Sequence, residues 1–255
     1  MRSSHRTTAI IFNSIDYGES DRIITFYTSD FGKLKGIAKG ARRSQKRFLN
    51  ALEPFSFSQI IFSKRESNSL VLIENCDTSN HHTGIRENLD KTLVSSYIIE
   101  LTDKFTHEGK KDTDLFQLLQ RFLYIIDTEH ISEALIRFFE IRLLKLSGYE
   151  PILDRCMHCN KPVSHTETYQ FVPSKGGIKC KTCHQNGLES FPVSVGTLKT
   201  LLLGKDIDIL KINRIALSNQ SSRESSNILC GFIQHLLGKE LKSLQIFNQI
   251  RKMGI

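Results

Sequence analysis

Residues 7–38 read TTAIIFNSIDYGESDRIITFYTSDFGKLKGIA. Three segments of this stretch, Thr7–Phe12, Arg22–Tyr27 and Leu34–Ala38, are short and dense in β-branched and aromatic residues. Two turn-prone pieces divide them, Tyr17-Gly18-Glu19-Ser20-Asp21 and Ser29-Asp30-Phe31-Gly32, where glycine and aspartate favour chain reversal. Phe55–Phe62 (FSFSQIIF) and Leu70–Ile73 (LVLI) continue the pattern, the second entered through the turn-prone Glu66-Ser67-Asn68-Ser69. Five short strands in some seventy residues predict a small closed or partly open barrel, because closure removes exposed sheet edges.

Beyond residue 80 the apolar period lengthens. Leu89, Leu93, Tyr97, Leu101 and Phe105 recur every four residues, with Val94 and Ile98 beside them, which is one stripe of a helix. A second helix uses Leu115, Leu118, Leu119, Phe122 and Ile126, with Asp112 or Thr113 as its N-terminal cap. A third uses Ile131, Leu135, Phe138, Phe139, Leu143 and Leu146, and Gly148 stands where a left-handed C-terminal residue belongs. Val195–Leu203 and Ile228–Phe247 resume the period, with Gly231 and Gly238 interrupting the last, while Ser218–Ser226 reads as a loop. Between these helices, residues from about Cys156 to Leu188 carry few aliphatics and two proline-containing turns. That piece is too small for an apolar core of its own, so a bound metal is its physical candidate support. Its position implies that helices before and after it pack into one domain.

The bulk composition excludes some classes. The chain has 255 residues, 39% apolar and 24% charged, as in ordinary globular proteins. No apolar run approaches the ~18 residues of a membrane span. The start, Met1-Arg2-Ser3-Ser4-His5, meets no long apolar stretch before the polar Asn13–Asp16, so no export signal is expected and a cytoplasmic location is. Thirty-five Lys and Arg against twenty-seven Asp and Glu leave a net charge of +8, which favours polyanionic partners, nucleic acid first.

Four of six cysteines are organised. Cys156-x2-Cys159 and Cys180-x2-Cys183 are separated by twenty residues, whereas Cys76 and Cys230 stand alone in apolar surroundings as small buried hydrophobes. Without an export signal, paired CxxC knuckles read as a zinc site rather than disulfides. Tyr169–Val172 and Ile178–Lys179 around Gly176-Gly177 can form the hairpin that joins the knuckles. Four thiolates fill a tetrahedral ion and leave no place for a substrate water, so one Zn2+ per chain is expected in a structural role. His165-Thr166-Glu167 ahead of Cys180 loosely mimics a deaminase zinc pattern, but it would orphan Cys156 and Cys159. His158 and His184 flank complete knuckles and are expected at the surface.

Lys33, Lys35, Lys39, Arg42, Arg43, Lys46 and Arg47 place seven cations in fifteen residues, with no acid between Phe31 and Leu52. Gly32, Gly36 and Gly40 interleave them and would allow close backbone approach to a ligand. On a barrel strand and the loop after it, such cations track a phosphate backbone. Seven contacts to a single strand would give a log K against log salt slope of about −5. Tyr17, Tyr27, Phe31 and Phe48 lie near enough in sequence to stack bases.

Catalytic signatures are missing. There is no GxxxxGK[ST] loop, Gly18-Glu19-Ser20-Asp21 lacks the second glycine of a nucleophile elbow, and Lys205-Asp206-Ile207-Asp208 lacks the glycine of a ligase lysine motif. Glu19, Asp21 and Arg22 read as a local charge network.

Tyr17-Gly18-Glu19-Ser20-Asp21-Arg22-Ile23-Ile24-Thr25, Phe31-Gly32-Lys33-Leu34 and Lys39-Gly40-Ala41-Arg42-Arg43 together resemble the N-terminal signature of the RecO family of bacterial recombination mediators. Leu52-Glu53-Pro54-Phe55, the stretch 137–144 (RFFEIRLL), Gly148-Tyr149-Glu150-Pro151 and Gly176-Gly177 before Cys180 follow in the family's order. The resemblance implies an α+β chain: a five-stranded OB-fold barrel at 1–80 that binds DNA, and an α-helical domain at 81–255 with a four-cysteine zinc module inserted at about 154–189. It implies a DNA repair and recombination mediator, not an enzyme, that binds single- and double-stranded DNA and anneals complementary strands. It also implies that the chain engages RecR and the acidic C-terminal tail of single-stranded-DNA-binding protein, and with RecR helps load RecA. The seven cations from Lys33 to Arg47 would contact DNA and the four cysteines would hold zinc. A cytoplasmic protein, nucleoid-associated when bound to DNA, is expected. Asn160 stands where many relatives have glycine, and asparagine tolerates the left-handed turn. Competing readings are a nucleic-acid-modifying enzyme with barrel and zinc accessories, or an adaptor for acidic protein tails.

Overall fold

The five N-terminal strands form and close on themselves in this computed structural model, which describes residues 3–44, 46–48, 50–64, 70–165, 167–184 and 189–252. Strands β1 (Ser3–Tyr17), β2 (Asp21–Thr28), β3 (Gly32–Ala38), β4 (Phe57–Lys64) and β5 (Val71–Asn80) make a closed barrel in the order β1-β2-β3-β5-β4. Every pairing is antiparallel except β3 with β5. Alternate residues point inward, so Ile24, Phe26, Leu34, Ile60, Phe62 and Ile73 meet in one buried cluster. β1 is much longer than its apolar run because β4 pairs with its start (Ser3↔Lys64) and β2 with its end (Tyr17↔Asp21). The pairing shifts register between Ile11 and Asn13. The turn proposed at 66–69 lies outside the described residues.

The outside of the barrel is also partly covered, which explains why Phe12 and Tyr27 are buried as well. Their rings stack at 5.8 Å, and Tyr27 and Phe57 each lie near Phe116 (6.0 and 6.4 Å) on a helix that follows. That helix is α3 (Thr113–Thr128), preceded by α1 (Thr83–Arg86) and α2 (Leu89–Phe105). Asp112 caps α3, its Oδ1 accepting from the Leu115 amide at 2.9 Å, and Asn88 caps α2 in the same way. The chain divides into two compact units, Met1–Glu129 and His130–Ile255, so α1–α3 belong with the barrel.

The second unit starts with α4 (Glu133–Leu146), capped by Ser132. Gly148, at φ 81°, ends it in a Schellman arrangement: its amide donates to Lys145 O and the Tyr149 amide to Leu144 O. A three-stranded sheet follows, β6 (Tyr169–Val172), β7 (Gly177–Cys180) and β8 (Phe191–Val193), in the order β7-β6-β8. The β6–β7 hairpin is the one expected from the spacer, whereas β8 is an addition. Helices α5 (Val195–Asp206), α6 (Asn219–Leu237) and α7 (Lys242–Lys252) complete the unit, and α4 packs with α5 and α6. Of the helices before the cysteines, therefore, α4 alone shares this unit.

Two sequence readings change here. The serine-rich stretch expected as a loop is the first half of α6. Ser218 caps it by accepting from the Ser221 amide, Ser225 Oγ donates back to Ser221 O, and the Glu224 carboxylate accepts from Ser194 and Thr197. Capping and packing override the weak helix propensity of serine. The periodic stretch Ile228–Phe247 breaks at just one of its two interrupting glycines: Gly238 takes a left-handed conformation (φ 67°) and ends α6, while Gly231 lies within that helix. No helix among the described residues is long and apolar enough to cross a membrane. The architecture is thus the α+β one expected: an OB-like five-stranded barrel, a helical C-terminal part, and a four-cysteine cluster.

Candidate nucleic-acid interface and metal centre

The basic run leaves β3 and wraps the end of the barrel. Gly40 takes a left-handed conformation, and Ala41–Arg43 form a short 3-10 turn. The β1–β2 turn pins that loop from beneath: Asp21 Oδ1 accepts from the Gly40 amide at 2.8 Å, and Ser20 O from the Arg42 amide at 2.9 Å. Arg47 Nη2 donates to Lys39 O at 3.1 Å, and its guanidinium lies 5.1 Å from the centre of the Phe48 ring. These bonds gather Lys39, Arg42, Arg43 and Arg47 beside the β1–β2 turn, with Lys46 next in the loop, all with exposed side chains.

Acids frame part of this group. Arg42 Nε is 3.4 Å from Asp16, and Arg43 is 3.8 Å from the well-exposed Glu19. Such solvated pairs contribute ~0–1 kcal/mol and exchange readily for a phosphate. Arg22 bridges Asp16 (3.2 Å) and Glu53 (2.9 Å), so the local charge network draws in Asp16 and Glu53 besides Glu19, Asp21 and Arg22. Lys39, Lys46 and Arg47 have no carboxylate within salt-bridge distance among the described residues.

The other end of the run is different. Lys33 and Lys35 point outward from β3 toward the C-terminal end of α2 and the loop after it. Lys33 is only 9% exposed, and its Nζ donates to Asp103 O (2.6 Å) and Oδ1 (3.0 Å). Burial pushes the Asp103 carboxyl up, but the ammonium groups of Lys104 and Lys33 outweigh it and hold it below the usual carboxylate range. Lys35 is half-exposed on Glu108 at 2.9 Å, whose hydrogen bond holds the ammonium above its usual range. Lys33 is thus an internal tie between barrel and helix, not an open cation. The interleaved glycines also serve the fold. A Cβ on Gly32 would sit 2.0 Å from Lys110 O, and one on Gly36 2.8 Å from Ile73, so both positions admit neighbouring protein and not a ligand. Nothing near Lys33 in sequence marks this, because its partner lies seventy residues away.

Of the four aromatics near the run, Tyr27 and Phe48 are buried and Phe31 packs against the barrel core. Tyr17 alone is open, at 55% exposure.

The second centre is sulfur. Cys156 and Cys159 flank a tight turn in which Asn160 adopts φ 59° and its amide donates to Cys156 O at 2.8 Å, while β7 delivers Cys180 and the next turn Cys183. The four Sγ atoms all lie within 4.8 Å of one another. Cys156 and Cys180 are buried, and Cys159 and Cys183 are nearer the surface. Burial pushes the Cys156 thiol up, but the amides of Cys159, Cys180 and His158 directed at its sulfur outweigh burial and bring it to about 6. Four such sulfurs can hold a metal ion. No histidine joins them: His158 is exposed, His165 Nε2 lies 2.6 Å from Lys199 Nζ, and among the described residues the cluster consists of the four cysteines alone. Cys76 is buried, bonds to Ala51 O at 3.2 Å, and has its thiol pushed by burial up to about 11. Cys230 accepts from Arg137 at 3.2 Å.

The stretch 137–144 works within α4. Arg137 pairs with Glu140 at 2.9 Å, both almost fully buried, and Arg142 donates to Gly204 O (2.9 Å) and to Ile207 O at the end of α5.

Comparison with known proteins covers both halves of the chain. Residues 1–81 match the family model described as Recombination protein O N terminal, and residues 86–245 the one described as Recombination protein O C terminal. A DNA repair protein RecO of Syntrophus aciditrophicus is 46% identical over 256 residues, covering 100% of this chain and 99% of that protein. That of Geobacter metallireducens is 35% identical over 97% and 98%, and that of Desulfatibacillum aliphaticivorans 33% over 96% and 97%. With two family models spanning nearly its whole length and relatives of matching extent, the chain belongs to the RecO family.

Proposed function

We propose that this chain is a non-catalytic recombination mediator that binds single- and double-stranded DNA and anneals complementary strands in DNA repair. The observation that carries the reading is the cluster of Lys39, Arg42, Arg43, Lys46 and Arg47 at one end of the barrel, all exposed, three of them without a carboxylate partner among the described residues. Lys35 adjoins them along β3. Annealing needs no cofactor energy: duplex formation is downhill, and the protein need only neutralise phosphate repulsion and hold two strands close. With Lys33 committed to Asp103, six cations remain, and the salt slope on a single strand becomes about −4. The barrel and its loop, within 1–80, are the DNA-binding part of this proposal. The helical part, with its metal module at about 154–189, receives the acidic tail of single-stranded-DNA-binding protein in this proposal, and together with RecR the chain helps load RecA. The chain works in the cytoplasm, at the nucleoid when bound to DNA.

The metal we assign to Cys156, Cys159, Cys180 and Cys183 is one Zn2+. An all-sulfur, four-ligand set with amides directed at a ligand sulfur suits that ion, and the ion would hold the knuckles and β7 together. The arginine-to-alanine and lysine-to-alanine quadruple variant at Arg42, Arg43, Lys46 and Arg47 tests the DNA reading. It is expected to flatten the log K against log salt slope by roughly 3 and to lose annealing of strands precoated with single-stranded-DNA-binding protein. Unchanged binding by that variant at physiological salt would remove this loop from the interface.

A further inference from the structure

We infer that Cys159 is a peroxide-reactive site, and that its oxidation joins it to Cys180 in a disulfide that replaces the metal in holding the two knuckles together. This rests on the assignment of Zn2+ to the four cysteines and adds a chemistry to that site. The four sulfurs are unequally placed: Cys156 and Cys180 are 0% and 1% exposed, whereas Cys159 lies in the open. His158, Asn160 and Lys161, its neighbours along the chain, are exposed too, so a small oxidant meets this sulfur first. Exposed thiolates in electropositive surroundings are the ones that oxidise, and the exposed Lys161 and Lys181 each stand within two residues of a cluster cysteine.

Across the knuckles, Cys180 Sγ lies 3.9 Å from Cys159 Sγ. Backbone bonds hold that relation whatever fills the site. The Ile152 amide donates to Gly176 O at 2.9 Å, the Ile178 amide to Ile152 O at 3.0 Å, and the Met157 amide to Ile178 O at 2.9 Å. The first knuckle is thus laced to β7, the strand that ends in Cys180. Cys156, the partner within the same knuckle, has its sulfur engaged by the Cys180 amide at 3.4 Å. In the first step the Cys159 sulfur attacks one oxygen of hydrogen peroxide; the O–O bond breaks, leaving a sulfenic acid and hydroxide. The Cys180 thiolate then attacks the sulfenic sulfur, forming the S–S bond and expelling a second hydroxide. Two solvent protons turn both hydroxides into water, and the two electrons lost by the sulfurs are those the peroxide gains. Two thiolates remain, too few for a four-sulfur Zn2+ site. A dithiol reductant reverses the oxidation by exchange. Metal lost in this way leaves the knuckles joined, whereas metal taken by a chelator does not.

The test uses the full-length chain, purified under reducing conditions and treated with hydrogen peroxide. It is expected to release its Zn2+, one per chain, to a chromogenic chelator. Digestion and mass spectrometry should then find Cys159 linked to Cys180, the pair two hydrogens lighter than its reduced parts, while the buried Cys76 stays reduced. Dithiothreitol with added Zn2+ should restore both metal and thiols. Amide exchange across β6–β8 should stay as slow in the oxidised chain as in the metal-bound one. Release without that linkage, a Cys156–Cys159 bridge in its place, or Zn2+ retained in excess peroxide overturns the site. Faster exchange in the oxidised chain overturns the bridge as a replacement for the metal. A chain that holds no Zn2+ before treatment yet forms the bridge keeps the reactive site and removes the zinc reading. A chain with neither removes both.

Discussion

The two β-sheets of this protein reach stability by opposite routes. The N-terminal sheet closes on itself, so its edges are paired and its inward side chains form their own core. The sheet of the second unit has three short strands, with, among the described residues, only Ile152 and Met157 bonded along its β7 edge, too little to stand alone. Its apolar side leans on α6, where Phe171 meets Phe232 edge-on at 5.7 Å and Gly231 admits the Phe191 ring, which a Cβ would approach to 2.6 Å. Its β7 end runs into the four-sulfur cluster. Closure supplies internally what the small sheet takes from a helix and from the four-sulfur cluster at its end.

With the proposed zinc bound at the four cysteines, its removal should separate the two most strongly. Structural zinc sites in isolated peptides contribute about 10–16 kcal/mol at pH 7, and since α6 also holds this sheet, chelation should cost it several kcal/mol. Amide exchange should then accelerate across β6–β8 while the barrel strands keep their protection; unchanged exchange there would mean that the α6 contact suffices. The converse variant, Phe62→Ala, deletes a ring that is 1% exposed inside the barrel and should cost about 3–5 kcal/mol in urea denaturation. Its bound metal should be undiminished, and a parallel loss of metal would show that the two sheets are not independent.

The smallest effect divides the basic run itself. Lys33→Ala leaves Asp103 with one cation fewer and should destabilise the first unit by about 1–2 kcal/mol, without changing the salt slope of DNA binding. The sign with pH follows from the depressed Asp103 carboxyl: its contribution is present above the ordinary carboxylate range and fades as pH falls through its lower folded value. Acid melts of the parent chain should show that loss, and Lys33→Ala should show less of it. A shallower DNA salt slope in Lys33→Ala would return Lys33 to the interface.

Much of this was legible in the residues. The strands needed only their β-branched runs and turns, and α2 begins and ends where its four-residue period does. The four clustered sulfurs were readable because CxxC spacing is local: two thiols on one tight turn need no distant partner to converge. Even the left-handed Asn160 agrees with its place after the knuckle. The serine-rich start of α6 was not legible, because its helix depends on the Ser218 cap and on Glu224 meeting Ser194 and Thr197. Nor was β8, whose three residues are a strand only because β6 is there to pair with them.

The cationic run shows where that boundary falls. Its charge, its spacing and its place after a strand were fixed by local sequence, and so was its suitability for a polyanion. Which cations stay open was settled by the fold, since a side chain's partner depends on chain segments that meet only after folding. Asp103 arrives on α2 to cover Lys33, and Glu108 in the loop beyond it pairs with Lys35 but leaves it half-exposed, while the turn at Gly18 to Ser20 holds the Arg42–Arg43 end outward. Tyr17 was one aromatic among four until burial claimed the others. Identity and period are properties of neighbours along the chain; exposure and pairing are properties of neighbours in space.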